Sequence, residues 1–273
     1  MTDQRNNPIK ICMAGAYGRM GRRILELAEA DDAFEVAGAF DRPDLEGTEL
    51  LIGAEGEQPQ TITLAASAEG LVEHADVLID FTQVEVCLAN VEAAAAVGKP
   101  SVIGTTGISE EHLEQIKERA HVVPIVLAPN MSVGVNLLFK LTSEVAEVLG
   151  LDYNVEIIET HHRKKKDSPS GTAVRLAERV AGALGLDYGR HVAHGREGIV
   201  GERPVKEIGM HAMRGGDVVG EHTVRYVGDG ETLELTHKAH NRDNFARGAL
   251  IAARFTQDAK PGLYDMQDVL GLT

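Results

Sequence analysis

The sequence of 273 residues predicts an α/β fold, with a doubly wound parallel sheet in the first half and a second domain of α+β type. In the first half, short apolar runs alternate with segments of helical periodicity, as in a parallel sheet with crossover helices. A glycine-rich turn follows the first run and opens the first helix. After residue 131 the pattern changes to a long helix and then to strands with hairpin signals.

Five strands and three helices are predicted in the first half. The first strand lies at 9–14 and leads through the glycine turn into a helix at 22–30. The other strands are expected at 34–40, 77–81, 101–103 and 123–127. Helices at 84–97 and 109–120, the second with Ser109 as its N-cap, provide the crossovers.

The second half begins with a predicted helix at 131–149 and a strand at 154–159. A cationic loop then leads into a helix from Ser170 to about residue 184. Three antiparallel strands with a hairpin turn at 227–231 are expected next, at 210–214, 220–227 and 232–238. A last helix at 242–256 returns the chain to the first domain. The sequence therefore divides into 1–131 plus 242–273 and an inserted domain at 132–241.

Composition excludes several functional classes. The formal net charge of -15 argues against general nucleic-acid binding, which needs a broad basic surface. The first residues lack the apolar core of a signal peptide, and no stretch approaches the roughly 18 apolar residues of a membrane helix, so no membrane partner and a cytoplasmic location are expected. Cys12 and Cys87 lie in apolar runs without a CxxC partner, which predicts buried reduced thiols.

The glycine loop predicts a Rossmann-like dinucleotide-binding domain. Gly15, Gly18 and Gly21 follow the first strand, where free N–H groups at a helix start can hold a pyrophosphate. The alternative is a tight turn that only packs helix on strand, since GxxGxxG is less common than GxGxxG. Asp41 ends the second strand about 20 residues later, where a carboxylate binds the adenosine ribose. Arg42 can pair with the 2′-phosphate of NADP or remain a solvated cation, so NADH and NADPH both stay open.

Two further loops follow the fourth and fifth strands, at the carboxyl edge where open α/β sheets bind ligands. We expect them to line the nicotinamide; ordinary loop capping is the alternative. Their residues are Gly104, Thr105, Thr106 and Gly107, and Ala128, Pro129, Asn130 and Met131.

A cationic run at 163–166 within an acidic chain predicts a site for an anionic ligand. His161 and His162 precede it and belong to the residue type that titrates near neutrality. The residues from Ser170 onwards form a predicted helix N-terminus, whose N–H groups can bind a carboxylate. The alternative is a solvated basic loop. Arg242 can reach a second carboxylate or form an interdomain ion pair. No metal site is predicted, because no third ligand has a convincing spacing.

One long signature closely resembles that of the 4-hydroxy-tetrahydrodipicolinate reductase family, also called dihydrodipicolinate reductases. It consists of residues 156–161, Lys165 and residues 167–173. Shorter similar segments lie at 15–21, 79–82, 104–107, 216–222 and 262–266. The resemblance therefore covers nearly the whole chain.

The resemblance implies an oxidoreductase of lysine (diaminopimelate) biosynthesis. Such an enzyme uses NADH or NADPH to reduce the cyclic dicarboxylate derived from 4-hydroxy-tetrahydrodipicolinate to tetrahydrodipicolinate. It further implies a cytoplasmic homotetramer, with a dinucleotide-binding domain at 1–131 plus 242–273 and a substrate-binding and oligomerisation domain at 132–241. A non-catalytic dinucleotide-binding sensor and a different nicotinamide-dependent reductase of a carboxylate substrate are the alternatives.

Site residues are also carried over by resemblance. His161 is the proton donor or acceptor, and Lys165, chosen over Lys164 and Lys166 by its spacing from His161, is the proton donor. The implied substrate-binding residues are His162, Ser170, Gly171, Thr172 and Arg242. The implied cofactor-binding residues are Gly15, Ala16, Tyr17, Gly18, Arg19, Met20, Asp41, Arg42, Gly104, Thr105, Thr106, Ala128, Pro129, Asn130 and Met131. Asp41 stands where many members carry Glu.

Overall fold

The computed structural model describes residues 7–53 and 60–272, which form two compact units. Unit 1 comprises the described residues of Met1–Val133 and Asp243–Thr273, and unit 2 is Gly134–Arg242. Unit 2 is therefore an insertion along the sequence of unit 1. The functional roles of the two domains stay predictions.

Thirteen strands and eight α-helices are present in the described residues. The strands are β1 (Ile9–Ala14), β2 (Phe34–Phe40), β3 (Glu49–Ile52), β4 (Gln60–Thr63), β5 (Val77–Asp80), β6 (Ser101–Ile103), β7 (Pro124–Leu127), β8 (Asn154–His161), β9 (Val192–His194), β10 (Ile208–Arg214), β11 (Gly220–Gly228), β12 (Glu231–Ala239) and β13 (Gly262–Tyr264). The helices are α1 (Arg19–Glu29), α2 (Val84–Ala96), α3 (Glu110–Ala120), α4 (Val133–Leu149), α5 (Gly171–Ala183), α6 (Tyr188–His191), α7 (Asp243–Thr256) and α8 (Met266–Val269).

A six-stranded parallel sheet forms the centre of unit 1, in the order β13-β7-β6-β5-β1-β2. After β2 the chain crosses to the other side of β1, so the strand order reverses between β1 and β5. This is the topological switch point, where open α/β sheets bind ligands at the carboxyl ends of their strands. The predicted doubly wound fold is confirmed. The sixth strand, β13, was not predicted.

Helices α1 and α7 pack together in unit 1, with apolar residues of the sheet beneath them. Ile24 and Leu25 of α1 are fully buried in the same core as Ile11 and Ile79 of the sheet. Arg23 of α1 also forms a two-pronged ion pair with Asp243, the first residue of α7, at 2.7 and 2.8 Å. The return of the chain from unit 2 is thus fixed to α1 by a bidentate contact.

Unit 2 contains a five-stranded sheet in the order β12-β11-β8-β10-β9. The predicted hairpin is confirmed, because β11 and β12 pair antiparallel with Gly228 opposite Glu231. The prediction that residues 210–214 run antiparallel is wrong, since β10 pairs parallel with β8 and with β9. The physical reason is the connection: α5 and α6 lie between β8 and β10 and return the chain to the same end of the sheet.

The sheet of unit 2 has two different faces because side chains alternate along each strand. On β8, Ile157 and Glu159 are buried, whereas Glu156, which points to the other face, is half-buried. The buried face packs on Phe139 of α4 and Leu176 of α5. Glu159 is therefore an acidic residue on the core side of the sheet.

Capping accounts for where several helices begin. Ser109 is an N-cap as predicted. Ser170, predicted as the start of a helix, is the N-cap of α5, which begins at Gly171. The two hydroxyls accept hydrogen bonds from His112 and Ala173 N–H, both at 3.2 Å. Helix α1 begins at Arg19, three residues before its predicted start. Within residues 7–53 and 60–272, no helix combines the length and apolar character needed to cross a membrane.

Candidate active site

The glycine loop between β1 and α1 brings its backbone close to neighbouring segments of unit 1. Gly15 has a φ of +79°, and a Cβ there would lie 2.6 Å from the Phe81 carbonyl oxygen. A Cβ on Gly21 would overlap the Gly15 carbonyl oxygen. Both positions therefore require glycine. Gly18 is the N-cap of α1 and has no side chain to cap the first turn. The N–H groups of that turn are therefore suited to bind an anion.

The Asp41 carboxylate ties the glycine loop to the end of β2. Its Oδ2 accepts a hydrogen bond from Tyr17 N–H, and its Oδ1 accepts one from Arg42 N–H, both at 2.8 Å. The Arg42 guanidinium is exposed and lies 3.5 Å from Asp44 Oδ1. Asp41 is thus held in place by backbone donors, whereas the Arg42 side chain remains accessible.

Thr105 connects the loop after β6 to the end of β5 through a buried carboxylate. Asp80 is fully buried, and its Oδ1 accepts the Thr105 hydroxyl at 2.9 Å and the Thr82 hydroxyl at 2.8 Å. Its Oδ2 accepts the side-chain amide of Asn90 at 2.7 Å. The ends of β5 and β6 are therefore joined by one hydrogen-bonded network.

The remaining predicted cofactor residues lie at the same carboxyl edge of the unit 1 sheet. A Cβ on Gly104 would overlap the Phe81 ring, and Gly104 N–H donates to the Asp80 carbonyl oxygen at 2.9 Å. After β7, Ala128 N–H donates to the Ile103 carbonyl oxygen at 3.0 Å. The structure thus brings together the three loops that begin at Gly15, Gly104 and Ala128.

In unit 2, His161 ends β8 and is held by Glu159, two residues earlier on the same face. The His161 Nδ1 lies 2.6 Å from Glu159 Oε2. Arg214 of β10 donates to both oxygens of Glu159, at 2.7 and 2.8 Å, and Ser170 N–H donates to Oε1 at 3.0 Å. The fully buried carboxylate accepts four hydrogen bonds, which compensates for its burial.

Burial and neighbouring charges shift the pKa values of this group. Burial lowers the pKa of His161; the charge of Glu159 opposes this effect, and Lys165 adds to it. The pKa of Glu159 lies below its usual range, because the hydrogen bonds from Arg214 and His161 outweigh the effect of burial. His161 is therefore predominantly neutral at pH 7 while Glu159 is ionised.

His222 of β11 lies beside this pair, opposite Glu159 in the strand register. Its ring packs edge-on against His161 at 5.2 Å between centroids, and its Nε2 lies 3.0 Å from the Ser170 hydroxyl. Burial, followed by the nearby His161, lowers the pKa of His222 to about 3. His222 is therefore a neutral partner of the α5 N-cap.

The structure separates the three lysines of the cationic run. Lys164 and Lys166 are exposed, whereas the Lys165 side chain is only 20 % exposed. The Lys165 Nζ lies 2.8 Å from Asp167 Oδ2, and its N–H donates to the His162 carbonyl oxygen at 3.1 Å. The lysine selected by spacing in the sequence is thus the one that folds back onto the loop.

The other predicted substrate residues lie at two places in unit 2. Gly171 and Thr172 form the first turn of α5, directly after the N-cap Ser170, and His162 follows β8. Arg242 is the last residue of unit 2, immediately before α7. The predicted substrate residues from His161 to Thr172 thus lie close together in the sequence, whereas Arg242 lies 70 residues later, at the end of unit 2.

The polar residues of these networks that were not predicted as site residues include Glu159, Arg214, His222 and Asp80. One signal was present in the sequence. Glu159 and His161 are two positions apart in a strand, so they share a face, and a carboxylate on an apolar face is unusual. The contact with Arg214 depends on strand order, which the sequence pattern does not give.

Comparison with known proteins identifies the family. The model described as "Dihydrodipicolinate reductase, N-terminus" matches residues 9–131, and the one described as "Dihydrodipicolinate reductase, C-terminus" matches 134–270. The chain belongs to the dihydrodipicolinate reductase family. The resemblance predicted from the sequence is confirmed, as is the prediction of an oxidoreductase family.

Relatives from this family match along almost their whole length. A 4-hydroxy-tetrahydrodipicolinate reductase of Citrifermentans bemidjiense is 50% identical over 270 residues, which cover 97% of this chain and 99% of the relative. The protein of the same name from Geobacter sulfurreducens is 49% identical over 269 residues, or 96% of this chain and 99% of the relative.

Solved structures support the fold of the family. A dipicolinate-bound dihydrodipicolinate reductase from Paenisporosarcina sp. TG-14 has a TM-score of 0.77 and 24% identity, covering 96% of this chain and 98% of that chain. A diaminopimelate dehydrogenase from C. glutamicum has a TM-score of 0.52 and 14% identity, covering 95% and 93%. The fold of this chain thus has a solved counterpart over nearly its full length.

Proposed function

We propose that this protein is a 4-hydroxy-tetrahydrodipicolinate reductase of lysine (diaminopimelate) biosynthesis. It reduces the cyclic dicarboxylate derived from 4-hydroxy-tetrahydrodipicolinate to tetrahydrodipicolinate, with NADH or NADPH. The observation that carries the proposal is the cluster of a neutral His161, a partly buried Lys165 and the N-terminus of α5, which combines proton transfer with binding of an anion. Family membership supports the same conclusion.

The loops of unit 1 fit a nicotinamide dinucleotide. Gly15, Gly21 and Gly104 let these loops pack closely at the carboxyl edge of the sheet, because a Cβ at any of them would meet backbone or ring atoms of the protein, and the uncapped first turn of α1 offers N–H groups to a pyrophosphate. When bound, the reduced nicotinamide supplies the hydride. The N–H groups of the first turn of α1 hold the pyrophosphate, and Asp41 accepts hydrogen bonds from the ribose. The exposed guanidinium of Arg42 pairs with a 2′-phosphate where one is present.

We assign the rest of the cofactor site to the loops beside these residues. The glycine loop also contributes Ala16, Tyr17, Gly18, Arg19 and Met20. Gly104, Thr105 and Thr106, with Ala128, Pro129, Asn130 and Met131, line the nicotinamide at the carboxyl edge of the sheet.

Unit 2 binds the substrate carboxylates in our proposal. The first N–H groups of α5, at Gly171 and Thr172, and the Ser170 hydroxyl bind one carboxylate, which the helix dipole favours. His162 and Arg242 contribute further donors. Lys165 gives the proton that completes the reduction, and His161 accepts or donates a proton at Nε2.

We further propose a cytoplasmic homotetramer assembled through unit 2. Several large apolar side chains of this unit are exposed, with Ile199 fully exposed, Val205 66% exposed and Met213 51% exposed. Exposed apolar groups of this size are typical of surfaces that bind another protein. Light scattering of the purified protein measures the oligomeric state, and a monomer at micromolar concentration contradicts this part of the proposal.

The function is tested by following oxidation of NADH and of NADPH with and without freshly prepared cyclic substrate. Oxidation that depends on this substrate supports the proposal. A dinucleotide-binding sensor oxidises neither cofactor, and a reductase for another carboxylate ignores this substrate.

A lysine series tests the site within the same assay. Lys165→Ala removes the proton donor, so we expect turnover to fall roughly 100-fold while cofactor affinity is unchanged. Lys164→Ala and Lys166→Ala are the matched controls, because both side chains are exposed neighbours. Near-normal turnover of Lys165→Ala rejects the assignment.

A further inference from the structure

Glu159 is the only group on His161 Nδ1 among the hydrogen bonds of the described residues, and it is also bonded to the start of α5. We propose that Glu159 is the positioning residue of the site: it holds neutral His161 in the Nδ1–H tautomer and thereby presents Nε2 as the atom that exchanges a proton with the substrate. This inference rests on the proposed function, since the role of Nε2 is that of a reductase site.

The hydrogen-bond chemistry fixes the tautomer. An ionised carboxylate has no proton to donate, so the contact of 2.6 Å between Glu159 Oε2 and His161 Nδ1 requires that Nδ1 carry the hydrogen. Neutral imidazole carries one ring hydrogen, which leaves Nε2 with a free lone pair. Free imidazole has no such constraint, so the choice of tautomer depends on Glu159.

The surroundings of Nε2 agree with this assignment. A Cβ on Gly220 would lie 3.1 Å from His161 Nε2, closer than an ordinary side-chain contact. The glycine therefore leaves room beside this nitrogen. The cationic loop that contains Lys165 begins directly after β8, so the proposed proton donor and Nε2 belong to one stretch of chain.

Arg214 keeps Glu159 ionised although the carboxylate is fully buried. A buried charge is costly unless it is paired, and a bidentate guanidinium is the strongest partner for a carboxylate. Arg214 provides this pair at 2.7 and 2.8 Å, and Ser170 N–H adds a third donor. The same carboxylate thus fixes both His161 and the N-cap residue of α5.

The charged and titratable groups around His161 come from several elements. Glu159 of β8 raises the pKa of His161, whereas Lys165 of the loop and Arg214 of β10 lower it. His222 of β11 is neutral over most of the pH range because of its burial. Removing Glu159 or Arg214 should therefore shift the titration of His161 in opposite directions.

Unit 2 contains a second cluster of similar composition, which offers a matched control. Glu156 lies three residues before Glu159, toward the other face of β8, and accepts hydrogen bonds from Arg196, Arg203 and His211 at 2.7 to 3.2 Å. It is a partly buried glutamate paired with arginines and a histidine, but it makes no contact with His161 or Ser170 among the described hydrogen bonds.

The first test is the pH dependence of kcat in Glu159→Gln and Arg214→Met. Each carboxylate oxygen of Glu159 faces two donors. In Glu159→Gln one of these oxygens becomes an NH₂ group, which cannot accept from them, so the side chain no longer fixes the tautomer of His161. We expect kcat to fall about 100-fold with an unchanged KM for the cofactor, within the range of general acid–base catalysis. We also expect the kinetic pKa of His161 to move to lower pH in Glu159→Gln and to higher pH in Arg214→Met.

Glu156→Gln should lower thermal stability. It should leave the kinetic pKa of His161, taken from the pH dependence of kcat, within about 0.3 units of the wild-type value. A purely structural role of Glu159 would move the pKa in neither variant or in the same direction in both. Either result, or a kcat of Glu159→Gln within threefold of the wild type, overturns the proposal.

Nitrogen NMR gives a readout that does not depend on activity. In wild-type protein with ¹⁵N-labelled histidine, and with His161→Asn to assign the signal, we expect a protonated Nδ1 and a bare Nε2 for neutral His161. An Nε2–H tautomer overturns the proposal even if Glu159→Gln does not fold. A wild-type protein that shows the expected tautomer but does not oxidise the cofactor with this substrate instead contradicts the proposed function.

Discussion

The backbone N–H of Tyr17 donates a hydrogen bond of 2.8 Å to the carboxylate of Asp41, which joins the glycine loop to the end of β2. The other carboxylate oxygen accepts from Arg42 N–H. Asparagine has only one acceptor oxygen, so Asp41→Asn leaves one of these donors without a partner and removes the charge that the ribose would meet. We expect the KM for either cofactor to rise roughly tenfold, with kcat within about twofold.

Asp44→Asn is the control for this prediction, because Asp44 is exposed and lies near only the side chain of Arg42 among the described ion pairs. Its KM values should match those of the wild type. Steady-state kinetics with NADH and NADPH measure both variants. An unchanged KM in Asp41→Asn would remove this carboxylate from the cofactor site.

Arg42→Ala separates the two cofactors. The exposed guanidinium can add a charge-assisted contact only to a cofactor that carries a 2′-phosphate. We therefore expect the KM for NADPH to rise about tenfold and that for NADH to stay within about twofold. Equal changes for both cofactors would assign Arg42 a role in shaping the loop.

Two glycine-to-alanine substitutions should change stability in opposite directions. A Cβ on Gly21 overlaps the Gly15 carbonyl oxygen, so Gly21→Ala should lower the free energy of unfolding by about 1–3 kcal/mol. Gly182 in α5 has open space around its missing Cβ, and Gly182→Ala should raise stability by about 0.5–1 kcal/mol. Urea titrations measure both; a stable Gly21→Ala would mean that the loop can move away from α1.

The buried Asp80 network predicts a cost for removing one hydroxyl. In Thr105→Val the carboxylate loses a donor at 2.9 Å, and Thr82 N–H loses one of its two acceptors, the Thr105 hydroxyl at 3.1 Å, but keeps Asp80 Oδ1 at 3.0 Å. We expect stability to fall by about 1–3 kcal/mol. Thr63→Val, at an exposed strand position, is the matched control and should stay within about 0.5 kcal/mol. Equal effects in the two variants would argue against the network as a source of stability.

His222 should make stability depend on pH. Its pKa is about 3 in the folded protein, because of burial and then His161, against about 6.5 in the unfolded chain. As the pH falls below 6.5, His222 is therefore protonated in the unfolded chain while it is still neutral in the folded protein. Stability from this group is complete above pH 6.5 and falls as the pH drops toward 3, by an upper value of roughly 4–5 kcal/mol.

His222→Gln should flatten this part of the curve, since glutamine keeps a donor for the Ser170 hydroxyl but does not titrate. Unfolding free energies between pH 7 and pH 4 measure the difference. Parallel curves for the two proteins would show that His222 is protonated without cost and is more accessible than its burial indicates.

The sequence was sufficient for the family and the fold class, and both are confirmed. Strands β1, β2 and β6 were predicted with their observed bounds because each is a short, largely apolar run. β13 was missed: it has three residues, Gly262–Tyr264, at the sheet edge, and all are only half-buried. β6 has the same length but is fully buried, whereas β13 has no fully buried residue, so β13 lacks the buried apolar run that indicated β6.

The direction of a strand and the partners of its side chains were harder to predict from the sequence. The pattern of β10 reveals a strand but not its direction, which the helical crossover before it determines. Arg214 reaches Glu159 only because β10 lies beside β8, a neighbour relationship that one sequence does not contain. The roles of His161 and Lys165 came from the signature, and they stay predictions until the variants are measured.

The position of β13 has a consequence for synthesis on the ribosome. This strand pairs with β7, yet all of unit 2 is translated between the two. The edge of β7 therefore stays without its partner while unit 2 emerges and folds, and an unpaired strand edge is a site of aggregation in nascent chains. Slow translation after β7 lengthens that exposure, so the codons of the inserted segment bear on the yield of folded protein.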